Sequence, residues 1–508
     1  WVKAGTYTST AESNNFLTMA EGVEVYGGFA GTETSLEQRD ISANKTILDG
    51  GNSKRVIYQN NDFTSETITI FDGFVIQNGN INENGAGVYM RDYSMLRNCI
   101  VRNNTGNRGS AIYTYGYANI INCLIVDNTS TYNSTSASSV FLLDSTLFVN
   151  NTVVNNTSVV GTGGVYVDNS KVRIYNSILW GNKKGEEINN IEGQVPDMRF
   201  TAVEGGYSGI GNIPLASENT GNAGYYPCFN DIENDDYSLT ANSICINKGS
   251  SALMSLPSID LANDERIKQG TIDMGAYESD HTPVINIVPG NNNVIYVATN
   301  ASGKKDGSSW SDATSDIHLA VNLANTFNSP ADVWVKAGTY YGLLYTENAF
   351  EMIPGVKVYG GFAGTESSLN ERDFRNNVTI LDANNTRRVL NQAYNFTSKT
   401  LAEWNGFTIR NGNTEDYKSD YEGAGVRMRT YSNIKNSTII NNNSKGDGAI
   451  YVQGENNNAY DTIANCIIQS NYSRYAGGIY ASHYVYVINN LITNNSSTYD
   501  GGGLYVTN

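Results

Sequence analysis

The sequence predicts an all-β chain: a right-handed parallel β-helix, or solenoid, in two tandem modules. Three observations carry that expectation. Residues 1–80 and 334–413 match at a constant offset of 333 residues without a gap, and 43 of the 80 positions are identical. A shorter period of about 24–31 residues is nested inside the long one. No amphipathic helical pattern fits between the markers of that short period. Strands of three to five residues cannot bury a face alone, whereas like coils stacked about 4.8 Å apart share one continuous core.

Two markers define the coil. The first is a pair of residues six apart around an apolar centre: Asp72–Asn78, Asn98–Asn104, Asn122–Asn128, Asn150–Asn156, Asn176–Asn182, Asn405–Asn411, Asn436–Asn442, Asn465–Asn471 and Asn489–Asn495. The second is a Gly-rich step into a short strand, as at Gly85, Gly109, Gly163, Gly423, Gly477 and Gly502. Gly and Asn tolerate the left-handed backbone that sharp corners need. Strand alternation points Val88/Met90, Ile112/Thr114, Val140/Leu142, Val165/Val167, Ile450/Val452, Ile479/Ala481 and Leu504/Val506 inward. In the Asn-flanked strand Val101, Ile125, Val153, Leu179, Ile439, Ile468 and Ile492 form the core row. The corner residues Asn98, Asn122, Asn150, Asn176, Asn436, Asn465 and Asn489 are expected to form a structural ladder, passing side-chain hydrogen bonds from coil to coil.

Along the chain, residues 1–278 read as the first module, with 183–278 less regular and rich in acidic loops. Residues 279–292 hold two of the eight prolines and no coil marker, and so read as an extended linker. Residues 293–508 form the second module. Near its start Ile317, Ala320, Val321 and Ala324 fall at helical spacing behind a Thr314–Asp316 capping region, which predicts a short helix over the N-terminal end of the coil stack. The first module is expected to lack its beginning and the second its end. A complete module at about 25 residues per coil gives roughly a dozen coils, a rod on the order of 60 Å.

Composition narrows the partners. A net charge of −17 with 16% charged residues argues against nucleic acid or an anionic membrane surface, which need clustered Lys and Arg. No apolar run of about 20 residues exists to span a bilayer. Five cysteines are too few for a disulfide framework in 508 residues. Cys99 and Cys123 occupy equivalent corners, and Cys466 matches Cys123. They read as an inward stack of small side chains, close enough to bridge in an oxidising compartment. Cys228 with Cys245 is a second candidate disulfide.

The motifs "VYVATNASG…GSSW", "GVKVYGGFAGTE…RD…TILD", "AVEGGYSGIGNI" (Ala202–Ile213) and "GTIDMGAYE" (Gly270–Glu278) resemble right-handed parallel β-helix surface proteins of Bacteroidota with the choice-of-anchor Q type of module end. The Gly-Gly-x-x-Tyr and Asn-x5-Asn repeats are similar to those of polymorphic outer-membrane protein adhesins. The resemblance implies export, through the type IX route, and a place at the cell surface. Asp461-Thr462-Ile463 and Asp144-Ser145-Thr146 resemble the Bacteroidota O-glycosylation acceptor, which makes Thr462 and Ser145 candidate modification sites.

No catalytic residues are assigned. A hydrolase of this fold needs paired carboxylates at acid/base or nucleophile spacing on one face. The motifs of pectin-cleaving β-helices are absent, and Arg266-Ile267-Lys268, a fragment of one, lies in the module-closing segment and not on a mid-stack coil face. His281, His318 and His483 do not cluster. Asp231, Glu233, Asp235 and Asp236, or Asp260, Asp264 and Glu265, read as solvated acidic turns, with Ca²⁺ binding as the alternative. No other metal or cofactor is expected.

The outward position of the Gly-rich step reads Tyr89, Tyr113, Phe141 and Tyr166, then Arg427, Tyr451, Tyr480 and Tyr505. Such a column either stabilises the sheet by ring stacking or offers a glycan-reading strip. The expected function is that of a non-catalytic structural or adhesive module in a long secreted filament. Its partners would be further copies of the module, surface glycans or other surface proteins. The rivals are a glycan-binding adhesin and a polysaccharide lyase or glycoside hydrolase.

Overall fold

The computed structural model describes residues 1–9, 12–64, 67–185, 187–216, 226–253, 256–283, 286–342, 348–415, 417, 421–454 and 461–507. The chain is a parallel β-solenoid of about 15 turns with very little helix. It divides into two compact units. Unit 1 comprises Trp1–Tyr207 with Asn212–Ile285, and unit 2 Ser208–Gly211 with Asn286–Asn508. That boundary falls inside the expected linker, whose flanks already belong to the units. Ser279 donates its N–H to Asp273 at 2.7 Å and Val288 donates to the Asp306 carbonyl at 2.7 Å.

The coils of unit 1 build three principal parallel sheets. In one representative coil, Ser94–Arg97 leads through a corner at Asn98 to Ile100–Arg102, then through a second corner to the Gly-step strand Arg108–Thr114. The Asn-flanked strands stack into a nine-stranded sheet, two further sheets hold seven strands each, and the second corners add a five-stranded sheet that includes Thr105–Gly106, Thr129–Ser130 and Thr157–Ser158. Register is strict: Val88 pairs with Ile112, Ile112 with Val140, and Val140 with Val165. One row of side chains therefore meets its copies along the whole stack, and Val88, Ile112, Val140, Val165, Val101, Ile125, Val153 and Leu179 are all fully buried in one core. Unit 2 repeats the plan with sheets of seven, six and six strands and a three-stranded sheet at the second corners, Asn443–Asp447 with Tyr472–Tyr475 and Ser496–Ser497. Its expected core row is buried up to Ile479, Ala481 and Ile468. Leu504 and Val506 lie in the edge strand of their sheet and stay 42% and 63% exposed.

Glycine in the Gly-rich step answers to coil spacing as much as to turn geometry. A Cβ on Gly87 would stand 2.5 Å from the Ala111 carbonyl of the next coil, and one on Gly164 would stand 2.1 Å from the Asn190 carbonyl. Only a residue without a side chain lets the coils close to hydrogen-bonding distance there.

The expected capping helix is present as Ile317–Leu323. Asp316 caps it by accepting the Leu319 N–H at 2.9 Å, and Ile317, Leu319, Ala320, Val321 and Leu323 are buried. The helix accompanies a first strand, Val294–Val297, that pairs in parallel with Asp332–Val335.

Residues 183–278, expected to be less regular than the coils before them, begin by continuing the stack. It runs on through Ile191–Gly193, Asp197–Arg199 and Ala202–Glu204 to Ile213–Leu215, with longer loops masking the period. Among the described residues beyond, none adds a further coil to that stack. They form a hairpin, Phe229–Asp231 with Asp236–Leu239, and then return along the outer face of the nine-stranded sheet. Leu124–Val126, Thr152–Val154 and Ile178–Trp180 are consequently buried on both faces.

Candidate functional site

The six-residue Asn pairs build two different ladders, because their members have different backbone shapes. Asn98, Asn122, Asn150, Asn176, Asn436, Asn465 and Asn489 themselves take the left-handed conformation, with φ between 49° and 58°. At the second corner Asn78 and Asn411 do so as well, whereas in the later coils the preceding residue does so instead, for example Asn103, Asp127 and Asn155, and the Asn that follows turns inward. Asn104, Asn128, Asn156 and Asn182 are fully buried and linked Nδ2 to Oδ1 at 2.9, 2.9 and 2.9 Å. Asn442, Asn471 and Asn495 continue the device in unit 2 at 3.0 and 2.9 Å.

The ladder expected at the first corner forms in pieces, with its amides pointing toward the preceding coil. Asn122 donates to Asn98 at 2.6 Å, Asn176 to Asn150 at 3.3 Å, Asn465 to Asn436 at 3.3 Å and Asn489 to Asn465 at 2.8 Å. Between Asn122 and Asn150 the returning segment takes over. Asn122 donates to the Ile259 carbonyl and accepts from Arg266, while Asn150 donates to the carbonyls of Asp273 and Gly275.

The outward aromatic column is a stack of rings. Successive centroids from Tyr89 to Tyr113, Phe141 and Tyr166 lie 5.0, 4.9 and 5.1 Å apart, with interplanar angles of 15–16°. Tyr451, Tyr480 and Tyr505 repeat it at 5.2 and 5.4 Å. Rings in this arrangement cover one another's faces, so an interior member presents its edge and, for Tyr, its hydroxyl. Arg55 lies over Tyr58 and Tyr89, and Arg108 lies over Phe141. Tyr113 and Phe141 are thereby buried although they point away from the core. Burial, with Glu422 and Tyr480 nearby, pushes the Tyr451 phenol up to about 12.

The returning segment of unit 1 ends in a buried polar knot that the sequence reading left as acidic turns. Asp260 accepts the N–H groups of Ala262, Asp264 and Glu278, Asp273 those of Asn247 and Ser279, and Glu278 those of Lys268 and Asp273. Each carboxylate thus ties together backbone that would otherwise be stranded. Desolvation raises all three, Asp273 to about 6 and Glu278 to about 7. Arg266 of the lyase-like fragment is a clamp in this knot, donating to Asn122 Oδ1 at 3.3 Å and to the Asp273 and Gly275 carbonyls at 3.1 and 2.7 Å. In the hairpin, Asp236 is held by Asn230 and Ser238, Asp231 by Asn234, and Asp235 pairs with Arg102. Among the described residues no three His, Cys, Asp or Glu side chains converge as a metal-holding group.

Cys228 and Cys245, the candidate pair, are both buried, and burial pushes each thiol up, Cys228 to about 11. Cys99 and Cys123 are stacked inward in the common core as expected. Ser145 lies in a turn and Thr462 on the outward side of Asp461–Ala464, both half-buried. The histidines stay apart. His318 stacks on Phe350 at 4.8 Å, and His483 contacts Ser482.

One duplicated device went unread. In "GGFAGTE" the N–H groups of Ala30, Gly31 and Thr32 close on the carboxylate of Glu33 at 2.6–2.9 Å, and those of Ala363, Gly364 and Thr365 close on Glu366 at 2.6–2.9 Å. The following Arg39 bonds Asp72 and lies over Tyr26, and Arg372 bonds Asn405 and lies over Tyr359. Seven-residue identity across the two copies was the available signal.

Searched against protein-family models the chain matches none, and no curated protein matches it.

Proposed function

We propose that the chain is a pair of non-catalytic structural modules of a long secreted, cell-surface filament or adhesin. The observation that carries this reading is the buried ladder Asn104–Asn128–Asn156–Asn182. It satisfies the turn backbone of each coil with the next coil, so a unit gains stability by lengthening rather than by enclosing a site. Duplication of the whole module at an offset of 333 residues extends the same logic. The partners are further copies of the module, and the location is outside the cell. Among the described residues no helix is long and apolar enough to cross a membrane.

The glycan-binding rival requires open aromatic faces, and the column instead directs ring faces at ring faces. The enzymatic rival is addressed by incubating the chain with a panel of acidic and plant polysaccharides, with and without added Ca²⁺. Unchanged polymer length is expected throughout. Shortening of any polysaccharide would remove the structural reading.

A further inference from the structure

Where the returning segment of unit 1 passes over the nine-stranded sheet, a cavity of about 150 Å³ lies between them. One side is built by the loop before Thr46–Asp49 and by the starts of Phe74–Gln77 and Ile100–Arg102, the other by Leu261, Ala262 and Tyr277. The Leu261 N–H donates to the Ala276 carbonyl at 3.0 Å, which fixes the two halves of the roof to each other. Ile41, Val75, Ile100 and Leu261 give the lining its apolar body.

The polar side chains on this lining fall into two groups. Three are engaged within the fold. Ser42 donates to Asp40 at 2.8 Å, the Thr46 hydroxyl accepts the Gly28 N–H at 3.0 Å, and Asn98 donates to Asp72 at 2.9 Å while accepting from Asn122 at 2.6 Å. Lys45 and Tyr277 are different: among the described residues neither the ammonium nor the phenol hydroxyl has a hydrogen-bond or ion-pair partner. Burial draws the Lys45 ammonium below its ordinary value, Arg102 adds to the shift, and Asp235, itself bonded to Arg102 at 3.4 Å, opposes it. The internal repeat shows that the coil does not need a cation here. The position 333 residues on is Val378, which stays 42% exposed although unit 2 carries the strand Val294–Val297 and the helix Ile317–Leu323. Those elements leave this face of the coil open, so the cavity belongs to the crossing of sheet and returning segment.

We propose that this cavity is a binding site for a small monocarboxylate with an apolar body. A cavity of this size takes a benzene-sized group. The carboxylate accepts from the Lys45 ammonium, Tyr277 offers a second donor from the roof, and the body of the ligand packs on Ile41, Val75, Ile100 and Leu261. A lone ammonium held against aliphatic side chains is costly, and a carboxylate removes that cost while the walls bind the rest of the molecule. Sulfate or phosphate would turn its remaining oxygens onto aliphatic wall and is disfavoured for that reason. The site is independent of the structural reading above, which rests on the Asn ladder.

The experiment titrates the full 508-residue chain at pH 7 with benzoate, butanoate, benzyl alcohol and inorganic sulfate by isothermal calorimetry. Both carboxylates are expected to bind saturably at one site, benzoate at least about 10-fold more tightly than benzyl alcohol, the worth of one charge-assisted hydrogen bond. Lys45→Met keeps the aliphatic stem and should weaken benzoate by about 10-fold or more while leaving benzyl alcohol unchanged. Ala262→Leu keeps the charge, fills the roof and should abolish binding of both. Unaltered far-UV circular dichroism and thermal melts show that each variant is folded. Binding of neither carboxylate by the parent chain would overturn the proposal. So would equal benzoate affinity in the parent and Lys45→Met, or sulfate binding as tight as that of benzoate.

Discussion

Asn104 and Asn128 stand one above the other on successive coils, and Oδ1 of Asn128 accepts both the backbone N–H of Asn104 at 3.0 Å and its side-chain amide at 2.9 Å. Nδ2 of Asn128 reaches the carbonyls of Val101 and Val126 at 2.9 Å each. One side chain therefore satisfies groups on two coils. Asn128→Ala would strand several buried polar groups and is expected to cost about 2–5 kcal/mol. Urea unfolding of the variant against the parent chain measures this, and a loss under about 0.5 kcal/mol would show that the ladder is dispensable.

The returning segment of unit 1 depends on Arg266, whose guanidinium joins Asn122 to the Asp273 and Gly275 carbonyls. Arg266→Met keeps the aliphatic stem and removes the clamp. Limited proteolysis should then cut within residues 244–278 at least about 10-fold faster, while the coils up to Leu215 stay resistant. Cleavage spread equally through the coils would contradict a separate role for the segment.

Asp273 and Glu278 give that segment a pH dependence of defined sign. Their folded values, about 6 and about 7, lie above those of the unfolded chain because burial disfavours the charged forms. Stabilisation from this source is complete below about pH 4 and is lost as pH rises through 6–7. Hydrogen exchange of residues 260–279 should therefore indicate a firmer segment at pH 5 than at pH 8, by on the order of 1–3 kcal/mol. A firmer segment at pH 8 would reverse the assignment.

For the aromatic column, Tyr451→Ala with Tyr480→Ala removes the two stacked contacts of unit 2. The expected loss is about 1–3 kcal/mol of stability in a thermal melt. Retention on a glycan array should not change. Loss of saturable glycan binding with stability intact would instead make the column a recognition strip.

Much of this architecture was legible because parallel stacking repeats each constraint. Val88, Ile112 and Val165 announce the core by strict alternation, and Asn98 and Asn122 announce the corners by spacing. The division of labour between Asn98 and Asn104 was not legible, since both are Asn and only the left-handed φ of one separates them. The return of the chain along the nine-stranded sheet left a faint trace. Leu124-Ile125-Val126 and Ile178-Leu179-Trp180 are apolar at every position, the pattern of strands covered on both faces, whereas Thr438-Ile439-Ile440 has an intermediate, partly open outer side. The Tyr113 and Phe141 rings were expected outside the core, and so they are. Their burial comes with the stacked neighbouring rings and with Arg108 over Phe141, a long side chain whose reach no local pattern encodes.

The central claim, in-register parallel coils, meets its most direct test in distances between spin labels on one outward row. Glu24, Ile70, Met95, Asn119, Leu147 and Arg173 are successive register partners in one sheet, and all five native cysteines are buried from labelling reagents. Double electron–electron resonance between labels at Ile70→Cys and Arg173→Cys should give about 19 Å, and between Glu24→Cys and Arg173→Cys about 24 Å, a step of about 4.8 Å for one added coil. Distances that do not lengthen by one coil spacing from the first pair to the second would contradict the stacked-coil account.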